Sequence, residues 1–516
     1  MSHITENLAA RNPDEPALCD ERQYLNRRQM EEALNRASNA MRGLGLMSGR
    51  RVAVFARNSV ENVLAYQGAL HAGLSSVPVS AHFTADEVAY ILKDSATDIV
   101  FVGPETAEIG REAAARAGIA RVIGWRCDGV AGIEDWSVWL AGADPSRPPD
   151  DVAPLPMLHY TSGTTGRPKG TETPPTMFPR MPTVRDYFDA LTAGRAGLPF
   201  PSPALAVSPM HHTGALISVR LVGAGLALVV MSGFDAEEVL AKIEQYRIRN
   251  VMMVPTHFQR LLALPEEVRA KYDVSSLEQV AHTGAACPGD VKRRMIAWFG
   301  PVLVEAYGAT ESGSTNMISS EEWLKKPGSV GRTLPPFEVE VISEAGERLG
   351  VNAVGVLYFR DTSGRGIKYH NDPEKTAGSH REPGVFTLGE MGYVDDDGYV
   401  FITDRISDMI VSGGVNIYPA EIEDALSQAP GVRDIAVIGV PNADMGEEVK
   451  ALIVPEDPAH PPQAADLDDF CRARLASYKA PRSYDFVDDV GRNAMGKVNK
   501  KALRKPYWPS GRTIGG

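Results

Sequence analysis

Apolar positions in the first 130 residues of the chain switch repeatedly between two periods. Met30, Leu34, Ala37 and Met41 recur on one helix face and the pattern stops at Gly43, after which RVAVFAR at 51–57 reads as a strand. A second helix is expected from about Ser59 to Leu70, then a strand at 75–80. Thr84 and Glu87 have the spacing of a capping box that opens the helix EVAYILKD, and this leads into a strand at 98–103. Strand, helix, strand in repetition predicts an α/β fold whose mostly parallel sheets are covered by helices. The Pro- and Gly-rich stretches 145–156 and 174–203 read as loops or connections, because apolar strand-like runs resume on both sides.

The pattern changes after GYVFITDR at 398–405. Pro419 opens a helix with Glu421, Glu423 and Asp424 in its first turns, closed by Pro430-Gly431. Strands at 432–440 and 449–455 follow, then an amphipathic helix carrying Leu467, Phe470, Cys471 and Leu475. The expected division is a large N-terminal domain over 1–405 and a small α+β domain over 406–516.

A chain of 516 residues, 43% hydrophobic and 23% charged, has ample material for a large core and predicts about three structural units. The net charge of −13 argues against a nucleic-acid or anionic-membrane surface as the main function. Cys19, Cys127, Cys287 and Cys471 are widely spaced and suggest neither a zinc site nor a disulfide framework, which fits a reducing cytoplasm. The N-terminal residues lack the layout of a signal peptide, and the most apolar run, Leu221 to Met231, is too short to span a bilayer. A cytoplasmic protein without integral membrane association is expected; the residues carry no reading of oligomeric state.

The most informative segment is Tyr160-Thr161-Ser162-Gly163-Thr164-Thr165-Gly166-Arg167-Pro168-Lys169-Gly170. Glycines admit close backbone approach, hydroxyls donate, and a lysine supplies charge, so the segment is suited to wrapping phosphate oxygens. No GK[ST] ends it, so it is not a Walker loop. The string resembles the signature loop of the adenylate-forming superfamily, which contains acyl-CoA synthetases, luciferases and peptide-synthetase adenylation domains. Six further motifs of that family follow in order. They are Met210-His211-His212-Thr213-Gly214, Thr283-Gly284-Ala285-Ala286, Tyr307-Gly308-Ala309-Thr310-Glu311, Leu388-Gly389-Glu390 with Gly392-Tyr393, Asp404-Arg405 with Ser412-Gly413-Gly414-Val415-Asn416-Ile417, and Gly496-Lys497.

The resemblance implies an enzyme that joins a carboxylate to AMP from ATP and Mg²⁺, releases pyrophosphate and passes the acyl group to a thiol. Under it, Thr161, Ser162, Gly163, Thr164, Thr165, Gly166 and Lys169 hold the β- and γ-phosphates, Thr310 contacts the α-phosphate and Glu311 carries Mg²⁺. Tyr307 with Gly308, and Gly284-Ala285-Ala286, flank adenine, while Glu390 and Arg405 bind the ribose hydroxyls. Relatives commonly have Asp at the Glu390 position, so the carboxylate here reaches one methylene further. Lys497 reaches the α-phosphate and the attacking carboxylate from a lid that rotates about Ser407, Gly413 and Gly414 line the pantetheine passage of coenzyme A, and His212 gates the acyl pocket.

No Asp follows Thr213-Gly214-Ala215-Leu216-Ile217-Ser218, so an α-amino acid is not the expected substrate; Leu216, Val254, Pro255 and Phe258 suggest apolar walls for a fatty, aromatic or alicyclic acid. The leading expectation is an acid:CoA ligase, with ATP, CoA and a small carboxylic acid as its partners. The alternatives are an adenylating enzyme that transfers to a carrier protein or another acceptor, and a nucleotide-binding protein without catalysis.

Overall fold

A computed structural model describes residues 3–46, 48–161, 168–193, 202–343, 345–405, 408–412, 415–442, 445–493 and 496–508, with the side chains of His3, Arg405 and Asn416 outside that set. The expected opening elements are present. The helix Arg27–Arg42 ends at Gly43 and buries Met30, Leu34, Ala37 and Met41, Ser59 caps the helix Val60–His71, and Thr84 and Glu87 form a reciprocal capping box before Ala85–Asp94. Their strands assemble into a five-stranded, wholly parallel sheet in the order 75–79, 51–55, 97–102, 121–124, 134–135.

A second sheet of fifteen strands forms the body of the large N-terminal domain. Its parallel part runs from Pro16–Cys19 through 228–230, 204–206, 250–253 and 279–282 to Leu303–Ala309. Beyond that strand, pairing turns antiparallel through 313–319, 329–333, 399–405, 390–394 and 355–361. Long crossovers supply the parallel strands, and the change to antiparallel pairing begins at the short hairpin 303–309 with 313–319.

One expectation is corrected. The stretch 174–203 is not all connection: Val184–Thr192 is a helix, capped by Thr183, whose hydroxyl accepts from the Asp186 N–H at 3.1 Å. Val184, Tyr187 and Phe188 are fully buried on one face, and Phe178 stacks on Tyr187 with centroids 4.6 Å apart.

The C-terminal α+β part builds a separate five-stranded sheet from 410–412, 415–417, 432–442, 446–455 and 483–486. Alternating residues of the strand Val432–Asn442 serve two cores. Ile435 and Val437 pack with Ile422, Leu426, Leu467 and Cys471, while Ala436, Ile438 and Val440 pack with Val490 and, from the chain end, Val498, Leu503 and Tyr507. Among the described residues, no helix is long and apolar enough to cross a membrane.

Candidate active site

The site forms where the parallel strands of the large sheet end. The strand Leu303–Ala309 delivers Tyr307 and then turns back at Gly313. Gly308 is required in that return, because a Cβ there would stand 2.0 Å from the Gly313 carbonyl oxygen. The turn carries Thr310 and Glu311. Beneath it lies the Pro-rich segment for which the sequence offers no role: the Thr176 hydroxyl donates to the Ser312 carbonyl at 3.2 Å, and Met177 fills the space beside Gly313.

Several sequence-predicted residues meet directly. The Tyr307 hydroxyl donates to Glu390 Oε2 at 2.9 Å, and Glu390 is buried. Glu390 and Arg405 face each other in the register of the strands 390–394 and 399–405. The Thr213 hydroxyl, at the start of the helix Thr213–Val222, donates to that of Thr310 at 3.1 Å, so the histidine-containing motif abuts the Tyr307–Glu311 turn. The Tyr369 hydroxyl donates to Glu311 Oε1 at 3.1 Å. Gly284, Ala285 and Ala286 follow the strand Gln279–His282, next to Leu303–Ala309 in the sheet.

His211 and His212 lie together, ring centroids 4.1 Å apart. Burial first, then the charges of Lys497 and His82, hold His212 down to about 4, and burial with His212 holds His211 well below the usual histidine range. Both are neutral imidazoles near pH 7. The neighbour of Lys497, Gly496, packs against Thr256 of the large domain. Gly496 makes the approach possible: its φ of +74° lies in the left-handed region, and a Cβ there would stand 2.8 Å from Thr256 Cγ2.

The hairpin 158–161 with 169–172 pairs Thr161 with Lys169 and so closes the base of the phosphate loop. Ser162, Gly163, Thr164, Thr165 and Gly166 lie outside the described residues, as do Ser407, Gly413 and Gly414. The expected walls Leu216, Val254, Pro255 and Phe258 are all buried, and Phe258 belongs to a core cluster, edge-on to His282. Sequence reasoning missed Tyr369, Lys375 and His82 as neighbours of the site. Only the pairing of distant strands brings the first two there. Among the described residues, no group of three or more His, Cys, Asp or Glu is arranged to hold a metal.

The family model "AMP-binding enzyme" matches residues 5–364, and "AMP-binding enzyme C-terminal domain" matches 421–497. The chain is 32% identical to the fatty acid–[acyl-carrier-protein] ligase ScoC of Streptomyces coeruleorubidus, over 98% of this chain and 96% of that one. It is also 32% identical to the long-chain-fatty-acid–CoA ligase FadD13 of Mycobacterium tuberculosis, over 93% and 92%. Among solved structures, ATP-bound MatB from Rhodopseudomonas palustris superposes with a TM-score of 0.79 at 28% identity, covering 98% of this chain and 99% of that one. Fold and matches together define an α/β nucleotide-using ligase with a C-terminal domain. The chain belongs to the AMP-binding enzymes, the adenylate-forming superfamily, and is an AMP-forming acid ligase.

Proposed function

We propose that the enzyme is an acid:CoA ligase for a carboxylic acid with an uncharged, hydrophobic tail, and that residues 406–516 act as a lid on 1–405. The observation that carries this reading is that the Tyr307–Glu311 turn bonds Glu390 on one side and Thr213 on the other, while Gly496, next to Lys497, packs on Thr256 of the large domain. A carboxylate oxygen attacks the α-phosphorus of ATP, the bond to the β-phosphate oxygen breaks, and pyrophosphate leaves. The thiol sulfur then attacks the acyl carbon and AMP departs.

Two anions must meet in the first step, so positioning and positive charge supply most of the catalysis. Lys169 with the loop 161–166 holds the β- and γ-phosphates, Thr310 orients the α-phosphate, and Lys497 stabilises the charge developing there. Tyr307, held by its bond to Glu390, presents its ring to adenine beside the small Gly284-Ala285-Ala286. Glu390 and Arg405 take the ribose. Glu311 fits Mg²⁺ as a lone hard carboxylate: among the described residues only Oε1 takes a hydrogen bond. Bound there, the ion supplies charge neutralisation to the phosphates. Neutral His212 offers hydrogen bonding at the acyl gate without a charge that would trap the substrate carboxylate.

Gly413 and Gly414 are assigned to a pantetheine passage, an arm that CoA and a carrier protein share, so the choice of CoA rests on the acceptor test below. The relatives named above include a ligase for each acceptor. The test is pyrophosphate release across a panel of fatty, aromatic and alicyclic acids, with CoA and with an acyl carrier protein. Turnover that requires CoA supports the proposal, whereas turnover only with the carrier redirects it. Release with no acid at all refutes it.

A further inference from the structure

The strand Lys169–Glu172 pairs on both edges. One edge completes the hairpin with Leu158–Thr161; on the other, the Glu172 N–H donates to the Lys368 carbonyl at 3.1 Å, Thr171 bridges Tyr369, and the His370 N–H donates to the Gly170 carbonyl at 2.9 Å. This pairing carries the short helix Pro373–Gly378 to the base of the phosphate loop. Asp372 caps that helix by accepting from the Lys375 N–H at 2.9 Å, which fixes the backbone of Lys375.

The Lys375 ammonium lies 3.5 Å from the centre of the Tyr369 ring, whose hydroxyl is bound to Glu311. It also stands in the electrostatic field of Lys169 and Glu311. Two ammonium groups from separate segments therefore converge at the loop base. Like charges partly withdrawn from water repel; Glu311 and Asp372 oppose that repulsion, Asp372 with one carboxylate oxygen already taken by the Lys375 N–H. An arrangement of this kind is complementary to a polyanion.

We propose that Lys375 is a second cationic contact to the β- and γ-phosphates of ATP, and to the departing pyrophosphate, acting beside Lys169 and seated on the Tyr369 ring. This rests on the adenylation reading above and adds a phosphate-binding residue outside the signature loop. Burial and Lys169 lower the Lys375 ammonium to about 8, the direction expected of a cation that lacks its counter-ion.

AMP and ATP differ only in the phosphates at issue, so their binding to the full-length enzyme separates this role from general damage. For Lys375→Gln, we expect ATP affinity to fall about 10- to 100-fold, the effect of losing one charge-assisted contact, with AMP affinity held within twofold. Pyrophosphate inhibition should weaken in parallel, and Lys375→Arg should restore most of both. Equal loss of AMP and ATP affinity, or unchanged ATP affinity, overturns the proposal. The adenylation reading fails by a different observation, wild-type enzyme that releases no pyrophosphate with any acid.

Discussion

The two lysines assigned to the nucleotide in the proposed reaction stand on opposite kinds of support. Lys169 stands in a continuous ladder that runs from Leu158–Thr161 through its own strand to Tyr369. Lys497 comes from the C-terminal part, where Gly496 rests against Thr256, and its own N–H donates to Asn493 at 3.0 Å. In the proposed cycle the first cation stays fixed wherever the C-terminal part sits, and the second is present only when that part is docked. Fixed charge suits binding, whereas charge that arrives by docking suits the step itself. The same division between ground-state binding and transition-state stabilisation appears in kinetics as KM against kcat.

The largest expected effect tests the docked cation. Lys497→Ala should lower adenylation about 10²- to 10³-fold while thioester formation from supplied acyl-AMP survives. Equal loss in both half-reactions would remove Lys497 from the first step. Glu390 tests the fixed side. Glu390→Ala should raise the ATP KM about 10- to 100-fold, since it also removes the acceptor of the partly buried Tyr307 hydroxyl, and Glu390→Asp should keep activity. Wild-type ATP kinetics in the alanine variant would take Glu390 out of the site.

A smaller change sharpens the docking itself. Gly496→Ala places a Cβ against Thr256 Cγ2 and costs about 1–2 kcal/mol at a left-handed backbone, so adenylation should drop about tenfold. Adding Thr256→Ser deletes the clashing methyl and should recover part of the loss. No recovery would mean that the approach of Gly496 to Thr256 does not set the position of Lys497.

The smallest effect separates the two parts by pH. Burial holds His71 and His159 down to about 3, against an ordinary value of 6.5. The unfolded chain therefore binds protons that the folded large domain does not. Stability is complete above pH 6.5 and falls as pH drops from 6.5 toward 3, by at most about 1.4 kcal/mol per pH unit for each histidine. In the C-terminal sheet's part the described histidine, His460, is exposed. Hydrogen-exchange protection, corrected for the slower intrinsic exchange at pH 5, should then fall more in strand 51–55 than in 432–442, and His71→Leu should flatten the large domain's response. A uniform fall in protection would contradict this account.

The sequence made legible what depends on neighbours in the chain. Caps at Thr84 and Glu87, the stop at Gly43 and the turn after Tyr307 are local, and they stand where the pattern puts them. The helix Val184–Thr192 carried its own signal, Thr183 followed by Val184, Tyr187, Phe188 and Leu191 at helical spacing, but the Pro- and Gly-rich flanks obscured it. Partners distant in sequence were not legible. Tyr307 and Glu390 are 83 residues apart, and the helix that carries Lys375 lies near the strand of Lys169 only because segment 368–370 adds to the edge of a hairpin. Leu216 and Phe258 show the limit for the acyl pocket, because a buried apolar side chain reads the same in a wall as in a core.

The sheet at 410–486 has grease on both sides and covers each with its own helices and chain end. Its attachments to the large domain include thin polar threads, the Ala420 N–H to Asp404 and the Gly289 N–H to Asp424. Water replaces such threads at a net cost of about 1 kcal/mol apiece. A module insulated in this way can leave and rejoin the large domain, as the proposed lid role requires, without wetting its interior.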